Sequence, residues 1–230
     1  MTDAPTITVI TDRDIAELCA NIYTAQSPGE WEQLELPPDG IAFGIKDLGP
    51  ATALIFRGTK TLPDWLRDLE AFADPDEHAD LGPVHPGFFE GLPELWDRLK
   101  TTLTKKPCII AGHSLGAARA SLFTGLMVLD DCPPLRRLCF GEPRPGFPQA
   151  GSIIAEVRGR SYRNGNGRAH DLVTDVPFTT WIEDYVHPTA LVPVCWPPTD
   201  DDVQRDALFA WHSFTLYALA VPDNPIAIGA

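Results

Sequence analysis

Apolar residues recur along the chain at two different spacings, which alternate from one end of the sequence to the other. Ile15, Leu18 and Ile22 lie three and four residues apart, as on one helix face, and predict a helix over residues 12–26. Residues 107–111 are apolar throughout and predict a strand buried on both faces. By the same reasoning we predict helices over 63–72, 87–103, 114–129 and 203–220, and strands over 41–45, 51–56, 135–140, 153–162 and 191–195. This alternation indicates an α/β fold, with a mostly parallel central sheet and helices on both faces.

Composition and charge narrow the class of protein. With 230 residues, of which 44% are hydrophobic, the chain is expected to form one domain over residues 1–230. It has 18 Lys and Arg against 32 Asp and Glu, which gives a formal net charge of −14. That balance argues against nucleic acids and anionic membranes as partners, because both bind clustered cations. It places no restriction on transient contact with neutral lipid surfaces, which bind through apolar side chains.

The cysteines, the histidines and the amino terminus exclude further classes. The five cysteines form no Cys-x-x-Cys pair and the six histidines no His-Glu-x-x-His pattern, so we expect no metal and no other cofactor. Residues 1–14 lack the basic and apolar regions of a secretory signal peptide. No apolar stretch approaches the roughly 18 residues of a membrane span. We therefore expect a cytoplasmic protein, and export by a route without a signal peptide stays open.

The strongest chemical signal is a Gly-x-Ser-x-Gly pentapeptide centred on Ser114. It follows the predicted strand at 107–111 and precedes the predicted helix at 114–129, as a nucleophile elbow does. A serine on such a sharp turn needs small neighbours, which Gly112 and Gly116 supply. The turn exposes the hydroxyl beside the free N–H groups of a helix start. The pattern predicts Ser114 as a nucleophile.

Several short motifs, taken in order, resemble the class 3 lipases, the fungal-lipase-like branch of the α/β-hydrolases. The resemblance covers about residues 41–220 and implies the α/β-hydrolase fold and cleavage of carboxylic esters. It rests on Phe56-Arg57-Gly58-Thr59, Trp65, Val84-His85-Pro86-Gly87-Phe88, Gly112-His113-Ser114-Leu115-Gly116-Ala117 and Phe140-Gly141-Glu142-Pro143-Arg144.

The resemblance implies a base and an acid after the serine, in the chain order Ser, Asp, His. His212 begins a His-x-x-x-Leu-Tyr pattern like that of the family and is the predicted base, with His187 and His170 as alternatives. Asp171 begins an Asp-x-Val-x-x-x-Pro pattern and is the predicted acid, with Asp175 as the alternative. The loop over residues 165–170 is longer than the family pattern.

The oxyanion hole and the lid are also implied by the resemblance. The N–H of Leu115 and the N–H of Thr59, with its hydroxyl, are the expected oxyanion donors. Leu62, Trp65 and Leu66 would belong to an amphipathic lid that covers the substrate site in water. The alternative is that this segment is a surface helix whose apolar residues pack into the core.

Together these residues predict a serine hydrolase of lipid or small-molecule esters, most simply acylglycerols, that needs no cofactor. A phospholipase A1, a thioesterase or an amidase would use the same machinery, so the sequence leaves them open. A non-catalytic binding module on a lipase fold is the remaining alternative. Such a module would be expected to lack one of the three residues, whereas Ser114, Asp171 and His212 are all present.

Overall fold

The computed structural model describes residues 9–25, 29–59, 76–78, 80–167, 169–177, 185–200 and 210–228. Within these ranges the strands are β1 (Ile10–Thr11), β2 (Gln33–Glu35), β3 (Phe43–Asp47), β4 (Thr52–Phe56), β5 (Asp76–His78), β6 (Gly82–Val84), β7 (Cys108–His113), β8 (Arg136–Phe140), β9 (Gly159–Asn166), β10 (Ala169–His170), β11 (Leu191–Val194) and β12 (Pro225–Ile226). The α-helices are α1 (Asp12–Asn21), α2 (Pro86–Phe89), α3 (Leu92–Leu103), α4 (Leu115–Leu129), α5 (Pro148–Ala155) and α6 (Phe214–Ala220), and short 3-10 helices span Leu172–Asp175 and Ala210–His212.

The central sheet is mixed but mostly parallel. Its strands follow the order β2-β3-β4-β7-β8-β9, with β11 and β10 also paired to β9. The pairs β4–β7, β7–β8, β8–β9 and β9–β11 are parallel, whereas β2, β3 and the short β10 pair antiparallel. His113 at the end of β7 pairs with Phe140 at the end of β8, which pairs with Tyr162 of β9. The carboxyl ends of β7, β8 and β9 therefore meet at one edge, where α/β folds bind ligands.

Helices cover both faces of this sheet, and each face has its own core. Along β4, Leu54 and Phe56 point into the core that α3 and α4 cover, where Phe123 is fully buried. Ala53 and Ile55 point into the other core, which α1 and α6 cover. This alternation follows from the period of two along a strand. The predicted fold class is confirmed.

Two predicted elements differ from the structure. Residues 153–162 were expected to form one strand, but α5 ends at Ala155 and β9 begins at Gly159. A short apolar run does not by itself distinguish a buried helix from a buried strand, and here Pro148 begins a helix. The helix predicted over 87–103 is divided, because Gly91 adopts φ 77° between α2 and α3.

The predicted helices at the amino and carboxyl ends are also shorter. The first ends at Asn21, after a start at which Thr11 Oγ1 accepts from the Asp14 N–H and Asp14 accepts from the Thr11 N–H. The predicted helix at 63–72 and residues 203–209 of the last predicted helix lie outside the described residues. Across the described part of the chain, no helix combines the length and apolar character needed to span a bilayer.

Candidate active site

Ser114 occupies a strained turn between β7 and α4. Its backbone has φ 61° and ψ −133°. The residue is buried, at 2% exposure, so the prediction that the turn exposes the hydroxyl to solvent is wrong for this structure. A Cβ at Gly112 would lie 2.2 Å from the carbonyl oxygen of Gly116, and a Cβ at Gly116 would lie 2.3 Å from that of Phe56. Neither position has room for a side chain. The elbow predicted from the sequence is therefore present, and the two glycines are needed for steric reasons.

Asp171 and His212 form a buried pair at the carboxyl edge of the sheet. The His212 Nδ1–H donates to Asp171 Oδ2 over 2.7 Å. The Tyr217 hydroxyl donates to the same oxygen over 2.5 Å, and the Val173 N–H donates to Oδ1 over 3.0 Å. Asp171 follows β10, whereas His212 and Tyr217 come from the chain end, so tertiary folding brings them together.

The surroundings of Asp171 keep it ionised. Burial by itself would raise the pKa of this carboxyl group. The charge of His212 and the hydrogen bonds from His212 and Tyr217 outweigh burial, so that the pKa of Asp171 lies below its ordinary value. An ionised carboxylate at this position fixes the proton of His212 on Nδ1 and leaves Nε2 as the basic atom.

Gly141 joins the serine to this pair. The Ser114 N–H donates to the carbonyl of Phe140 over 3.0 Å, which places the elbow against the end of β8. A Cβ at Gly141 would lie 2.6 Å from Asp171 Oδ2 and 2.8 Å from His212 Cε1. Gly141 has φ 58°, so both its conformation and its lack of a side chain are required here.

At the candidate site, two of the buried side-chain atoms that lack a hydrogen-bond partner among the described residues belong to the predicted nucleophile and base. They are Ser114 Oγ and His212 Nε2, and both are buried. Buried polar atoms in native structures are nearly always satisfied, and exceptions occur where a catalytic step needs the atom. These are the two atoms between which a nucleophile and its general base exchange a proton.

The alternative residues make other contacts. His187 Nε2 donates to the carbonyl of Thr174 over 2.8 Å. His170 pairs with Asp175, with 2.7 Å between Nε2 and Oδ2. The structure thus places His187 and His170 in contacts that hold the loop around Asp171, and Asp175 pairs with His170 rather than with His212.

The two expected oxyanion donors border one cavity. Thr59 and Leu115 are among the residues that line a cavity of about 360 Å³. A Cβ at Gly58 would lie 2.7 Å from the carbonyl oxygen of His113 and 2.8 Å from Ser114 Cβ, so the loop after β4 lies against the elbow. Leu115 begins α4, where the first N–H groups have no partner within the helix. The expected lid residues Leu62, Trp65 and Leu66 lie outside the described residues.

Comparison with known proteins decides the family. The sequence profile of the family described as Lipase (class 3) matches residues 53–181, which is more than half of the chain. The chain belongs to the class 3 lipase family. It is therefore a carboxylic ester hydrolase of the lipase type, and the resemblance seen in the sequence is confirmed. A search of curated proteins found no match.

Solved fungal lipases share the fold of this class 3 lipase. A triacylglyceride lipase of Rhizomucor miehei is 20% identical, with 82% of each chain covered and a TM-score of 0.61. A mono- and diacylglycerol lipase of Aspergillus oryzae is 17% identical, with 87% of this chain and 91% of that chain covered and a TM-score of 0.62. The Lip2 lipase of Yarrowia lipolytica is 18% identical, with coverages of 82% and 78% and a TM-score of 0.59.

Sequence reasoning missed Tyr23, which links three parts of the lipase site. The Gly58 N–H donates to the Tyr23 hydroxyl oxygen over 3.1 Å, and the hydroxyl lies 2.8 Å from His113 Nδ1. His113 Nε2 lies 2.8 Å from the carbonyl oxygen of His212, which can only accept. Nε2 of His113 therefore carries the proton, and Nδ1 accepts from Tyr23. No local signal marks Tyr23, because its partners lie far away in sequence.

The protonation state of His113 follows from its burial. Burial, followed by the nearby charge of His212, lowers the pKa of His113 to about 3. The ring is therefore neutral at neutral pH, as the hydrogen bond accepted from Tyr23 requires. His113 therefore contacts the candidate base, His212, as a neutral ring.

Asn164 on β9 is a second residue that supports the site and that the sequence analysis did not identify. Its side chain donates to the carbonyls of Trp196 and Trp211 over 3.1 and 3.2 Å, and its Oδ1 accepts from the Trp196 N–H over 3.0 Å. Trp211 directly precedes His212. Asn164 thus ties the segment that contains the candidate base to the end of β9.

Behind Gly141, the motif residue Glu142 forms a buried ion pair with Arg137 on β8. The two charges lie 3.2 Å apart at 0% exposure. The hydroxyls of Ser121 and Ser161 both donate to the Glu142 carboxylate. Because each charge is hydrogen bonded, the pair can be buried, and it holds the chain immediately after Gly141 in place. The described residues contain no group of His, Cys, Asp or Glu arranged to hold a metal ion.

Proposed function

We propose that the protein hydrolyses lipid esters through an acyl-enzyme on Ser114, with His212 as general base and Asp171 as the residue that orients it. The observation that carries this proposal is the buried pair His212–Asp171, joined over 2.7 Å, together with Ser114, which the elbow holds at φ 61°. The unpartnered Ser114 Oγ and His212 Nε2 support it as well.

The reaction follows from these roles. His212 Nε2 takes the proton of Ser114 Oγ as that oxygen attacks the ester carbonyl, and the ionised Asp171 stabilises the imidazolium that forms. N–H groups of Leu115 and Thr59 stabilise the oxyanion. The alcohol leaves with the proton that His212 returns. His212 then activates a water molecule, which releases the carboxylic acid and restores Ser114.

Acylglycerols are the proposed substrate class. Two of the solved structures that share the fold are described as a triacylglyceride lipase and as a mono- and diacylglycerol lipase. The family membership supports a lipid ester, and a neutral lipid surface agrees with the acidic chain, which has a formal net charge of −14. The lid formed by Leu62, Trp65 and Leu66 remains part of this proposal.

A fluorophosphonate probe with intact-mass readout tests the nucleophile. We expect one adduct on the wild type and none on Ser114→Ala, with adduct formation strongly slowed in His212→Ala. Ser152→Ala is the matched control, because Ser152 is an exposed serine on α5 and its loss should leave labelling unchanged. An adduct that persists on Ser114→Ala would contradict the proposal.

A further inference from the structure

The cavity that Thr59 and Leu115 border also contains two arginines, Arg57 and Arg119. Both side chains are partly buried. Arg57 directly follows β4 and lies two residues before Thr59, and its charge lowers the pKa of Tyr23, which burial otherwise raises. Two cationic side chains therefore line a cavity that borders the serine elbow through Leu115, on a chain whose formal net charge is −14.

Arg119 is the more unusual of the two. It is the single charged residue in the sequence of α4, which is otherwise built of small and apolar residues with one serine and one threonine. It lies in the second turn of that helix. Burial lowers the pKa of Arg119 to about 10, so the side chain still carries its charge at neutral pH.

Among the described residues neither guanidinium forms an ion pair, although Arg119 also borders a second cavity whose lining includes Glu90 and Glu94. In the described part of the chain, no carboxylate lies within ion-pair distance of Arg57 or Arg119, whereas Arg136, Arg137 and Arg160 each approach one within 4 Å. This contrast matters because buried charges are normally paired.

Among the described residues the Arg119 side chain donates one hydrogen bond. Its Nη1 donates to the carbonyl of Gly40 over 3.2 Å, and its Nε is buried without a partner among the described residues. Glu90 raises the pKa of Arg119 and so offsets part of its charge, but it forms no ion pair with it in the described part of the chain. A guanidinium has five N–H groups in a planar fork that fits a carboxylate or a phosphate.

We propose that Arg57 and Arg119 bind an anionic oxygen group, a carboxylate or a phosphate, that the substrate carries next to its scissile ester. The proposal rests on the proposed function, because the cavity is a substrate site only if Ser114 is the nucleophile. It deepens that function, since it makes an anionic ester a better substrate than its neutral counterpart.

Two matched substrate pairs test the preference and locate the anion. The first pair compares para-nitrophenyl hemisuccinate, which carries a carboxylate on its acyl side, with neutral para-nitrophenyl butyrate. The second pair compares dibutyryl phosphatidate, which carries a phosphate on its alcohol side, with neutral dibutyrylglycerol. We expect the wild type to give a higher kcat/KM for the anionic member of at least one pair, and the pair concerned identifies the side. A preference for the neutral member in both pairs would overturn the inference.

Substitution of Arg119 tests whether its side chain is responsible for the preference for an anionic ester. We expect Arg119→Gln to lower the ratio of kcat/KM for the anionic over the neutral ester about tenfold or more, because a charge-assisted hydrogen bond is lost. Arg119→Lys, which keeps the charge, should retain part of the ratio. Arg158→Gln is the control for the change in net charge, because Arg158 is exposed and lies outside the cavity lining.

The outcomes separate the two proposals. If Arg119→Gln does not fold, Arg57→Gln carries the same test. If Ser114 is labelled and required but the ratio is unchanged in the glutamine variant, the anion site is wrong and the lipase proposal stands. If hydrolysis persists in Ser114→Ala, the proposed function itself is wrong.

Discussion

Replacing Tyr23 by phenylalanine should separate the stability of this protein from its catalytic geometry. Phenylalanine keeps the ring that stacks on Phe214, with 4.4 Å between centroids, and removes only the hydroxyl. That hydroxyl accepts from the Gly58 N–H over 3.1 Å and lies 2.8 Å from His113 Nδ1. Two polar groups would therefore lose their partner at once.

The magnitude follows from those two groups. Leaving a buried donor or acceptor unsatisfied costs about 1–3 kcal/mol, so we expect a loss of about 2–4 kcal/mol in unfolding free energy. For a chain of this size that corresponds to a decrease of roughly 5–15 °C in Tm. Gly58 adjoins Thr59, the proposed oxyanion donor, and His113 Nε2 lies 2.8 Å from the carbonyl oxygen of His212. A small displacement of both should also lower kcat about 10- to 100-fold, as mispositioned catalytic groups do.

Steady-state kinetics on a soluble ester, with urea unfolding in parallel, checks this prediction. The control is Tyr162→Phe, which removes another buried hydroxyl that bonds Asp12 over 2.7 Å and Asn224 over 3.1 Å. It should lose comparable stability while keeping kcat. If Tyr23→Phe shows the same stability loss as Tyr162→Phe and an unchanged kcat, the hydroxyl is structural and the reasoning about positioning is refuted.

Three further predictions concern the elbow and the pair at the edge of the sheet. Asp171→Asn should lower kcat about 10⁴-fold, because the amide no longer fixes the tautomer of His212. Asp175→Asn is the control and should have little effect on kcat. Equal losses of kcat in the two variants, measured by stopped assays, would contradict the assignment of Asp171 as the acid. Gly116→Ala places a Cβ 2.3 Å from the Phe56 carbonyl and should lower Tm and activity together, so a fully active, equally stable variant would be unexpected. The third prediction concerns His113, whose pKa is lowered to about 3 in the folded state. As pH falls, the unfolded chain therefore binds a proton at this histidine before the folded chain does. The free energy of unfolding should decrease between about pH 6.5 and pH 3, by up to about 1.4 kcal/mol per pH unit. Urea titrations of wild type and His113→Asn check this, and an equally steep decline in the variant would count against it.

The sequence by itself determined the elements with strong local signals. The Gly-x-Ser-x-Gly turn could be predicted because its requirement is steric and local: Gly112 and Gly116 must lack a Cβ wherever the rest of the chain lies. The apolar run of β7 and the helix after it followed from their periodicity. Asp171 and His212 could be named because short motifs surround them, although nothing in their spacing specifies a 2.7 Å contact. Residues 153–162 were misassigned, since a short apolar run suits a helix and a strand equally.

Only the tertiary structure decided which distant groups meet. Tyr23 lies on the turn after α1, yet it joins Gly58 to His113, which lie 35 and 90 residues later. Arg119 looks like one polar residue in an apolar helix until the fold places it in the cavity beside Thr59. The protonation of His113 is likewise set by burial and by the charge of His212 rather than by its own sequence neighbours. Hydrogen bonds and desolvation depend on distances through space, and packing of the whole chain around the sheet fixes those distances.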